Sequence, residues 1–287
     1  MAIKVLEIEL TGRCPLQCGH CYASSSPLGT HGSMTAADWS DVITQAASLG
    51  IAQVQFIGGE ATIHPAFPAL LRHAVDVGSS VEVFSNLLNI RHSWWEELFT
   101  LPGVSLATSY YSDDPEMHDR ITTRSGSHAR TRANIIEAVR RSIPIRAAIV
   151  EMFPDQRVGG AIADLKALGI TRIGTDRIRG IGRGTTTTTP EVGQLCGKCG
   201  RTKVAISPDG EVWPCVMARW MSAGNVKASP LGDILAGDLW RQLVSAIPPS
   251  PHTMACNPEC KPSTGDGSDC SPAETEACDP SYCDPDL

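Results

Sequence analysis

The segment Cys14-Pro15-Leu16-Gln17-Cys18-Gly19-His20-Cys21 places three cysteines in one short stretch, separated by three and then two residues. An apolar run at residues 5–10 predicts a strand just before it, so the cysteines fall in the loop that follows. Three thiolates can hold three irons of a [4Fe–4S] cluster that normally takes four cysteines, which leaves one iron open to a substrate. Two other interpretations stay open: free buried thiols, or a zinc site with His20 as fourth ligand, although His20 is squeezed between Cys18 and Cys21.

Composition sets the class of protein. The chain has 287 residues, enough for one large domain or two smaller ones, and 42% of them are apolar. A net charge of −7 does not favour a nucleic-acid partner. Charged residues interrupt the apolar start of the chain, which excludes a signal peptide, and no uncharged apolar stretch reaches membrane-spanning length. We therefore expect a cytoplasmic protein that binds no membrane.

Cysteine usage extends the interpretation of the first loop. The chain contains eleven cysteines, and in the cytoplasm cysteines serve as metal ligands more often than as disulfides. Without the three of the first loop, eight remain, which is enough for two sets of four. The total fits one cluster with an open iron and two clusters that are fully ligated by the protein.

Strand and helix patterns alternate through the first two thirds of the chain. Such repeats predict a parallel sheet with helical crossovers, although periodicity does not distinguish an open sheet from a barrel. Thr35 and Asp38 resemble a capping box before one of the helices, whose apolar face comprises Trp39, Val42, Ile43, Ala46 and Leu49. The predicted strands lie at 5–10, 53–57, 81–85, 104–109, 145–150 and within 170–178, and the other helices at 67–77, around 94–98, and at 129–141 and 158–168.

Polar or glycine-rich residues follow three of these strands: Gly58-Gly59-Glu60, Ser85-Asn86 and Ser109. Because the active sites of barrels lie at the carboxyl ends of the strands, these residues and the cysteine loop are predicted to meet at one mouth. Glycines there allow the backbone to approach a ligand closely. Ordinary turns and hydrogen-bonded strand-end hydroxyls are the alternative interpretations.

The composition changes after residue 178. Residues 179–189 resemble a linker, which divides the chain into predicted domains at 1–184 and 185–287. A hairpin signal follows, with strands at 203–207 and 211–214 around Pro208-Asp209-Gly210. A single helix is expected next, with Leu231, Ile234, Leu235, Leu239, Leu243 and Ile247 as its apolar positions. From residue 248 the tail has little apolar surface to bury, so it needs cross-linking by clusters to fold.

The cysteine spacing, together with Gly58-Gly59-Glu60, resembles the signatures of radical S-adenosylmethionine (SAM) enzymes. The resemblance implies a partial (β/α)6 barrel in which the amino and carboxylate groups of SAM bind the open iron. A reduced cluster would cleave SAM to a 5′-deoxyadenosyl radical, which removes hydrogen from a substrate. The implied SAM contacts are His20, Gly58, Gly59, Glu60, Ser85, Asn86, Ser109, Arg146, which alternatively forms a salt bridge, and Ile181, which alternatively lies in a linker turn.

The second half resembles the SPASM domain of peptide-modifying radical SAM enzymes. Cys196-x2-Cys199, Gly210-x4-Cys215 and Trp213-Pro214-Cys215 match the opening of that domain, whereas the later cysteines match it in order but not in spacing. The resemblance implies two auxiliary [4Fe–4S] clusters, three clusters in all, with zinc at one auxiliary site as the alternative. Cluster I would take Cys196, Cys199, Cys215 and Cys278, and cluster II would take Cys256, Cys260, Cys270 and Cys283.

SPASM relatives mostly modify ribosomally made peptides, so the resemblance implies a precursor-peptide substrate. Closed auxiliary clusters favour electron transfer, and hence net-oxidative formation of a thioether or carbon–carbon cross-link. Val216 stands where sulfatase maturases carry Asp, which disfavours that branch. Because only thirteen residues precede Cys14, either a separate leader-peptide-binding protein or the barrel edge is expected to present the peptide, and a flavodoxin- or ferredoxin-type protein is the expected reductant.

Two other functions stay open: a radical SAM epimerase or enzyme acting on a small metabolite, and an iron–sulfur electron carrier. The catalytic acid or base is not identified by the sequence. The candidates near strand ends are Asp113, Asp114, Glu151 and Asp176, each of which is alternatively a solvated or salt-bridged carboxylate. Tyr110 and Tyr111 are expected either to shape the pocket or to pack in the core.

Overall fold

The computed structural model describes residues 3–185 and 189–249. Its strands, β1 to β8 in chain order, are Val5–Glu9, Gln53–Ile57, Ser80–Phe84, Val104–Ser109, Ile145–Glu151, Ile173–Arg177, Lys203–Ile206 and Val212–Trp213. Its helices, α1 to α8, are Ala36–Ser48, Phe67–Asp76, Trp94–Glu97, Pro115–Thr122, Ser127–Arg140, Val158–Ala167, Leu231–Ala236 and Asp238–Ala246. Short 3₁₀ helices cover Ala61–Ile63, Gly182–Gly184 and Val192–Gln194.

The strands form one sheet in the order β6-β5-β4-β3-β2-β1-β7-β8. Strands β1 to β6 are parallel, and each pairs with the next along the chain. This arrangement confirms the predicted α/β class, since successive parallel strands need helical crossovers between them. Within the described ranges the two end strands, β6 and β8, do not pair with each other, so the sheet is open rather than a closed barrel.

Strand β1 alternates between an apolar outer face and a charged inner face. On β1, Leu6 and Ile8 pack in the main core with Trp39 of α1. Glu7 and Glu9 alternate with them and point to the other side of the sheet, yet both are buried. Strands that are covered on both faces usually carry continuous apolar runs. The structure instead buries charged residues on the inner face, where they pair with other charges.

Helix α1 begins as the sequence predicts. The Thr35 hydroxyl accepts a hydrogen bond from the Asp38 amide, and the Asp38 carboxylate accepts one from the Thr35 amide at 2.8 Å. Trp39 and Ile43 are buried on the predicted face. The prediction for Leu49 was wrong, because the helix ends there and the side chain is 48% exposed.

The C-terminal segment continues the sheet of the first domain. Strand β7 is parallel to β1, with Val5 opposite Lys203, and β8 completes the predicted hairpin. The single predicted helix is in fact two, because extended backbone at Gly237 separates α7 from α8. Leu239, predicted as an apolar core position, is 48% exposed. The division into two domains at residue 184 stays a prediction.

In the ranges that the structure describes, no helix is both long enough and apolar enough to cross a bilayer.

Candidate active site

A cavity of about 1150 Å³, part of it open to solvent, lies at the carboxyl ends of the parallel strands. The loop after β1 contributes Cys14, Cys18 and Cys21 to its wall. Loops and strand ends that are distant in sequence supply the rest, because the ends of parallel strands share one edge of the sheet. The other sequence-predicted residues that line the cavity are His20, Gly58, Gly59, Ser85, Asn86, Ser109 and Arg146.

Arg183, which lies 165 residues after Cys18, binds the backbone of the cysteine loop. Its Nε donates to the carbonyl of Cys18 at 2.8 Å, and its Nη2 donates to the carbonyl of Ser25 at 2.7 Å. Its backbone amide donates to the carbonyl of Cys21 at 3.0 Å. Residues 179–184 resemble a linker in the sequence, but in the structure this segment packs against the cysteine loop and binds it through Arg183.

Gly58 and Gly59 are needed because the cysteine loop passes directly over them. Gly58 has a φ of +130°, and a Cβ there would lie 2.5 Å from the carbonyl oxygen of Thr11. A Cβ on Gly59 would lie 2.2 Å from the carbonyl oxygen of Arg13. The sequence predicts that these glycines let the backbone approach a ligand closely. The structure adds a second reason, because they also let the backbone approach the segment that leads into the cysteine loop.

The side chain of Glu60 organises the next loop and does not line the cavity. It accepts hydrogen bonds from the hydroxyl of Thr62 at 2.7 Å and from the amide of Asn86 at 2.8 Å. Asn86 in turn donates from Nδ2 toward Cys14 Sγ at 3.7 Å. Glu60 therefore positions Asn86 beside the first cysteine. Ile181 is also buried outside the cavity lining, so neither residue has the direct exposure to a ligand that the resemblance implies.

His20 stacks edge-on against Tyr111, and its Nε2 lies 3.2 Å from the phenol oxygen. Burial lowers the pKa of His20 to about 4, so the imidazole is neutral at physiological pH. Tyr111 lines the cavity, whereas Tyr110 is buried in the core, where its hydroxyl donates to Asp164 at 2.6 Å. Of the two roles expected for these tyrosines, Tyr111 shapes the pocket and Tyr110 packs in the core.

Three buried polar atoms of residues near the cavity have no partner among the described residues: His20 Nδ1, Ser25 Oγ and Thr108 Oγ1. Buried polar groups are nearly always hydrogen-bonded, so each such atom calls for an explanation. A polar ligand in the cavity would satisfy His20 Nδ1 and Ser25 Oγ, whereas Thr108 lies on the outer face of β4 with Leu106 and Tyr110. The first two atoms fit SAM, which carries hydroxyl, amine and carboxylate groups.

The cysteines of the first loop also fit a cluster. Burial raises the pKa of Cys18 to about 12 and raises that of Cys14 as well, so the thiols would stay protonated unless a metal binds them. No group of three or more His, Cys, Asp or Glu side chains in the described ranges is arranged to hold a single metal ion. Three thiols in one loop match three irons of a cluster that normally takes four cysteines, which would leave one iron open.

The inner face of the sheet forms the cavity floor. Arg146 on β5 donates to both carboxylate oxygens of Glu82 at 2.7 and 2.9 Å, and Gln55 donates to the same carboxylate at 2.8 Å. The guanidinium carbon of Arg146 lies 4.8 Å from the ring centre of Phe84. The salt-bridge interpretation of Arg146 is therefore realised, while the residue also faces the cavity.

The candidate acids and bases do not meet in the cavity. Arg157 binds Asp113 and lowers its pKa, while Asp114 accepts from the Glu116 amide at the start of α4. The Asp176 carboxylate accepts hydrogen bonds from Nε and Nη2 of Arg179. Glu151 is exposed at the end of β5. The residues that sequence reasoning did not assign to the cavity include Arg177, Arg179, Arg183, His118 and Met217. The signal for the first three was the close spacing of arginines that begins at the end of β6 and continues to residue 183.

A second group of cysteines lies beside β7 and β8. Cys199 and Cys215 are buried together in a small apolar cluster that Cys196 adjoins. Hydrogen bonds with Cys196 and Cys215, together with burial, raise the pKa of the Cys199 thiol well above its ordinary value. The three cysteines at the predicted opening of the second domain therefore converge. The remaining predicted ligands, Cys256, Cys260, Cys270, Cys278 and Cys283, lie outside the described residues.

Two family profiles match the chain. One, described as Radical SAM superfamily, matches residues 8–159, and the other, described as SPASM iron–sulfur cluster-binding domain, matches residues 196–262. The first covers more than half of the chain and contains the cysteine loop. The second contains Cys196, Cys199 and Cys215.

Curated relatives and solved structures extend these matches. The chain is 32% identical over 129 residues to a PqqA peptide cyclase from Rhodopseudomonas palustris, which covers 43% of this chain and 33% of the relative. It is 30% identical over 173 residues to a PqqA peptide cyclase from Xanthomonas campestris, which covers 58% and 44%. The matches thus span less than half the length of these relatives.

Streptococcus suis SuiB bound to SAM superposes with a TM-score of 0.72 at 16% identity, over 85% of this chain and 68% of SuiB. SuiB bound to its precursor peptide SuiA gives a TM-score of 0.70. At this level of identity the likeness concerns the fold.

Proposed function

We propose, from the premise that this chain belongs to the radical SAM superfamily, that it matures a ribosomally made precursor peptide by forming a thioether or carbon–carbon cross-link. One observation carries the proposal: a single cavity gathers the three cysteines of the first loop, Gly58 and Gly59, and the unpartnered buried atoms of His20 and Ser25. The peptide substrate is supported by the relatives, which are named PqqA peptide cyclases, and by SuiB, which was crystallised with a precursor peptide.

In this proposal Cys14, Cys18 and Cys21 would hold a [4Fe–4S] cluster. The residues that would face SAM are His20, Gly58, Gly59, Ser85, Asn86, Ser109 and Arg146, with Glu60 and Ile181 acting from behind them. When bound, these cofactors supply a 5′-deoxyadenosyl radical that removes hydrogen from an unactivated C–H bond.

The chain's own residues prepare the cavity for that chemistry. Arg183 clamps the cysteine loop, and Glu60 orients Asn86 toward Cys14. Tyr111 holds the ring of His20 at the cavity wall through its hydroxyl. Ile57, Phe84 and Val150 contribute apolar walls that exclude water from the reacting groups.

The auxiliary cysteines would supply an electron path. Cys196, Cys199 and Cys215 with Cys278 form one proposed ligand set, and the other four form a second, for three clusters in all. Full ligation by protein favours electron transfer over substrate coordination, and a net-oxidative cross-link requires an electron acceptor. The proposal includes a cytoplasmic location, a flavodoxin- or ferredoxin-type reductant, and a small separate protein that presents the leader peptide.

The test incubates the anaerobically reconstituted, reduced protein with SAM and the short peptide encoded beside its gene. We expect 5′-deoxyadenosine and a peptide lighter by a pair of hydrogen atoms, detected by mass spectrometry. Solvent deuterium in a peptide of unchanged composition would instead indicate epimerisation. Absence of 5′-deoxyadenosine, with intact clusters, would contradict the proposal and leave the electron-carrier interpretation.

A further inference from the structure

The cavity wall is strongly basic. Four arginines line it, Arg146, Arg177, Arg179 and Arg183, and no Asp or Glu of the described residues does. The chain as a whole carries a net charge of −7, so this local excess of positive charge runs against the overall balance. A cavity lined by one sign of charge attracts ligands of the opposite sign.

Three of these arginines already bind groups within the protein. Arg146 binds the Glu82 carboxylate, and Arg179 binds Asp176 through Nε and Nη2, so each of these charges is balanced. Arg183 donates to carbonyls of the cysteine loop, and its charge opposes the rise that burial causes in the pKa of Cys18. Arg183 would therefore offset the negative charge of the Cys18 thiolate when a cluster is bound.

Arg177 differs from the other three. It lies at the end of β6, its side chain is exposed, and its Nη1 makes only long contacts of 3.4 Å with two neutral oxygens, Ile178 O and Gln194 Oε1. Within the described ranges no carboxylate binds its guanidinium. Arginine presents a planar fork that matches a carboxylate, so Arg177 is equipped to bind one from outside.

A bound cluster and SAM would not neutralise the positive charge of the cavity. An oxidised [4Fe–4S]²⁺ core with three thiolates would carry roughly one net negative charge, and SAM, with a carboxylate, an ammonium and a sulfonium, carries roughly one net positive charge. These charges cancel, as do those of the Arg146–Glu82 and Arg179–Asp176 pairs. The cavity therefore keeps its positive charge after the cofactors bind, and that charge is available to the substrate.

We propose that Arg177 binds a carboxylate of the substrate peptide at the mouth of the cavity, so that the segment brought to the cysteine loop is acidic. The inference rests on the proposed function, since it assumes that a peptide enters this cavity. The carboxylate can come from a Glu or Asp side chain or from the C-terminus of the peptide, and the experiment separates these sources.

The experiment measures binding by fluorescence anisotropy on the reconstituted holoprotein with SAM, kept oxidised so that no turnover occurs. The probes are dye-labelled, alanine-rich nonapeptides that differ only at a central pair of residues: Glu-Glu, Gln-Gln or Lys-Lys, each with an amidated C-terminus. A further Gln-Gln probe with a free C-terminal acid tests the second source of the carboxylate.

We expect the holoprotein to bind the Glu-Glu probe or the free-acid probe about tenfold more tightly than the amidated Gln-Gln probe, equivalent to ~1.4 kcal/mol. Arg177→Gln should remove this preference, and Arg177→Glu should transfer it to the Lys-Lys probe. Arg72→Gln, which makes the same charge change on α2 outside the cavity, should keep it. SAM affinity, measured in parallel, should be unchanged in Arg177→Gln.

Equal affinity for all probes, no measurable binding of the acidic probes, or a preference that survives Arg177→Gln would each overturn the inference. A loss of SAM affinity in Arg177→Gln would also overturn it, because Arg177 would then serve the cofactor. A clear preference for acidic probes without any change in the mass of the precursor peptide would instead contradict the proposed function and leave this inference standing.

Discussion

Arg219 donates from Nη1 to the carboxylate of Glu9, with 2.7 Å to Oε1, in a pair where the Glu9 side chain is only 1% exposed. Glu9 ends β1, just before the cysteine loop, and Arg219 follows Cys215 along the chain. The guanidinium carbon of Arg219 also lies 4.5 Å from the ring centre of Trp213. This buried ion pair therefore links the segment before Cys14 to the segment after Cys215 across the inner face of the sheet.

Arg219→Ala should destabilise the protein by about 3–5 kcal/mol, because it leaves the Glu9 carboxylate buried without a partner. The double variant Glu9→Gln, Arg219→Gln should recover part of this loss, since no lone charge remains. Urea unfolding of the three proteins gives the free energies. The matched control is Arg241→Ala, whose pair with Asp238 is exposed and should change stability by less than about 1 kcal/mol. Equal effects of the two alanine variants would contradict the importance of burial.

Gly59→Ala should reduce iron content and SAM affinity together. The new Cβ would lie 2.2 Å from the Arg13 carbonyl oxygen, so the backbone that leads into the cysteine loop must move. Gly159→Ala in α6, where a Cβ would meet nothing within 4 Å, is the control and should stabilise the helix by up to about 1 kcal/mol. Iron assay and SAM titration of both variants provide the measurement, and a Gly59→Ala protein with normal values for both would refute this account.

Replacing Cys14, Cys18 and Cys21 together with Ala should abolish formation of 5′-deoxyadenosine. The proposed count of three clusters predicts that roughly eight of roughly twelve irons remain, because each cluster holds four. Anaerobic iron and sulfide analysis, with an assay of SAM cleavage, tests both statements. Cleavage of SAM by the triple variant would rule out the assigned site, and loss of all iron would rule out independent auxiliary clusters.

Stability should fall as the pH drops from about 6.5 toward 4, in part through His118. Burial, followed by the charge of His128, lowers the pKa of His118 to about 4, below the value of about 6.5 expected in the unfolded chain. Between these values the unfolded state binds a proton that the folded state does not, which costs up to about 1.4 kcal/mol per pH unit. Above pH 6.5 this contribution is constant.

His118→Asn should therefore flatten the dependence of the free energy of unfolding on pH in this window, as measured by urea unfolding at several pH values. The exposed His92→Asn substitution serves as control and should leave the slope as it is in the parent protein. Identical slopes for both variants would mean that His118 does not titrate as its burial implies.

Much of the fold could be predicted because its signals are local. The strand at Gln53–Ile57 and the capping box at Thr35 depend on residues only a few positions apart, and both agree with the structure. The break at Gly237 was missed because apolar spacing on both sides of it continues a helical period. Backbone conformation, rather than spacing, decided that element.

The candidate site was predicted less completely. Residues next to a recognisable signature, such as Ser85 and Asn86, line the cavity as expected. Glu60 belongs to the same signature, yet its carboxylate binds Thr62 and Asn86 behind the wall. Motif membership does not specify which way a side chain points, since orientation depends on the loops packed around it.

The sequence alone determined the donor chemistry and the class of fold, because three thiols in one loop and a repeating strand–helix pattern are properties of neighbouring residues. Only the tertiary structure decided which charges meet. Pairing of β7 with β1 brings Arg219 to Glu9, and the end of β6 brings Arg177 to the cavity mouth. Contacts between residues some two hundred positions apart depend on how the whole sheet assembles, and no local pattern encodes them.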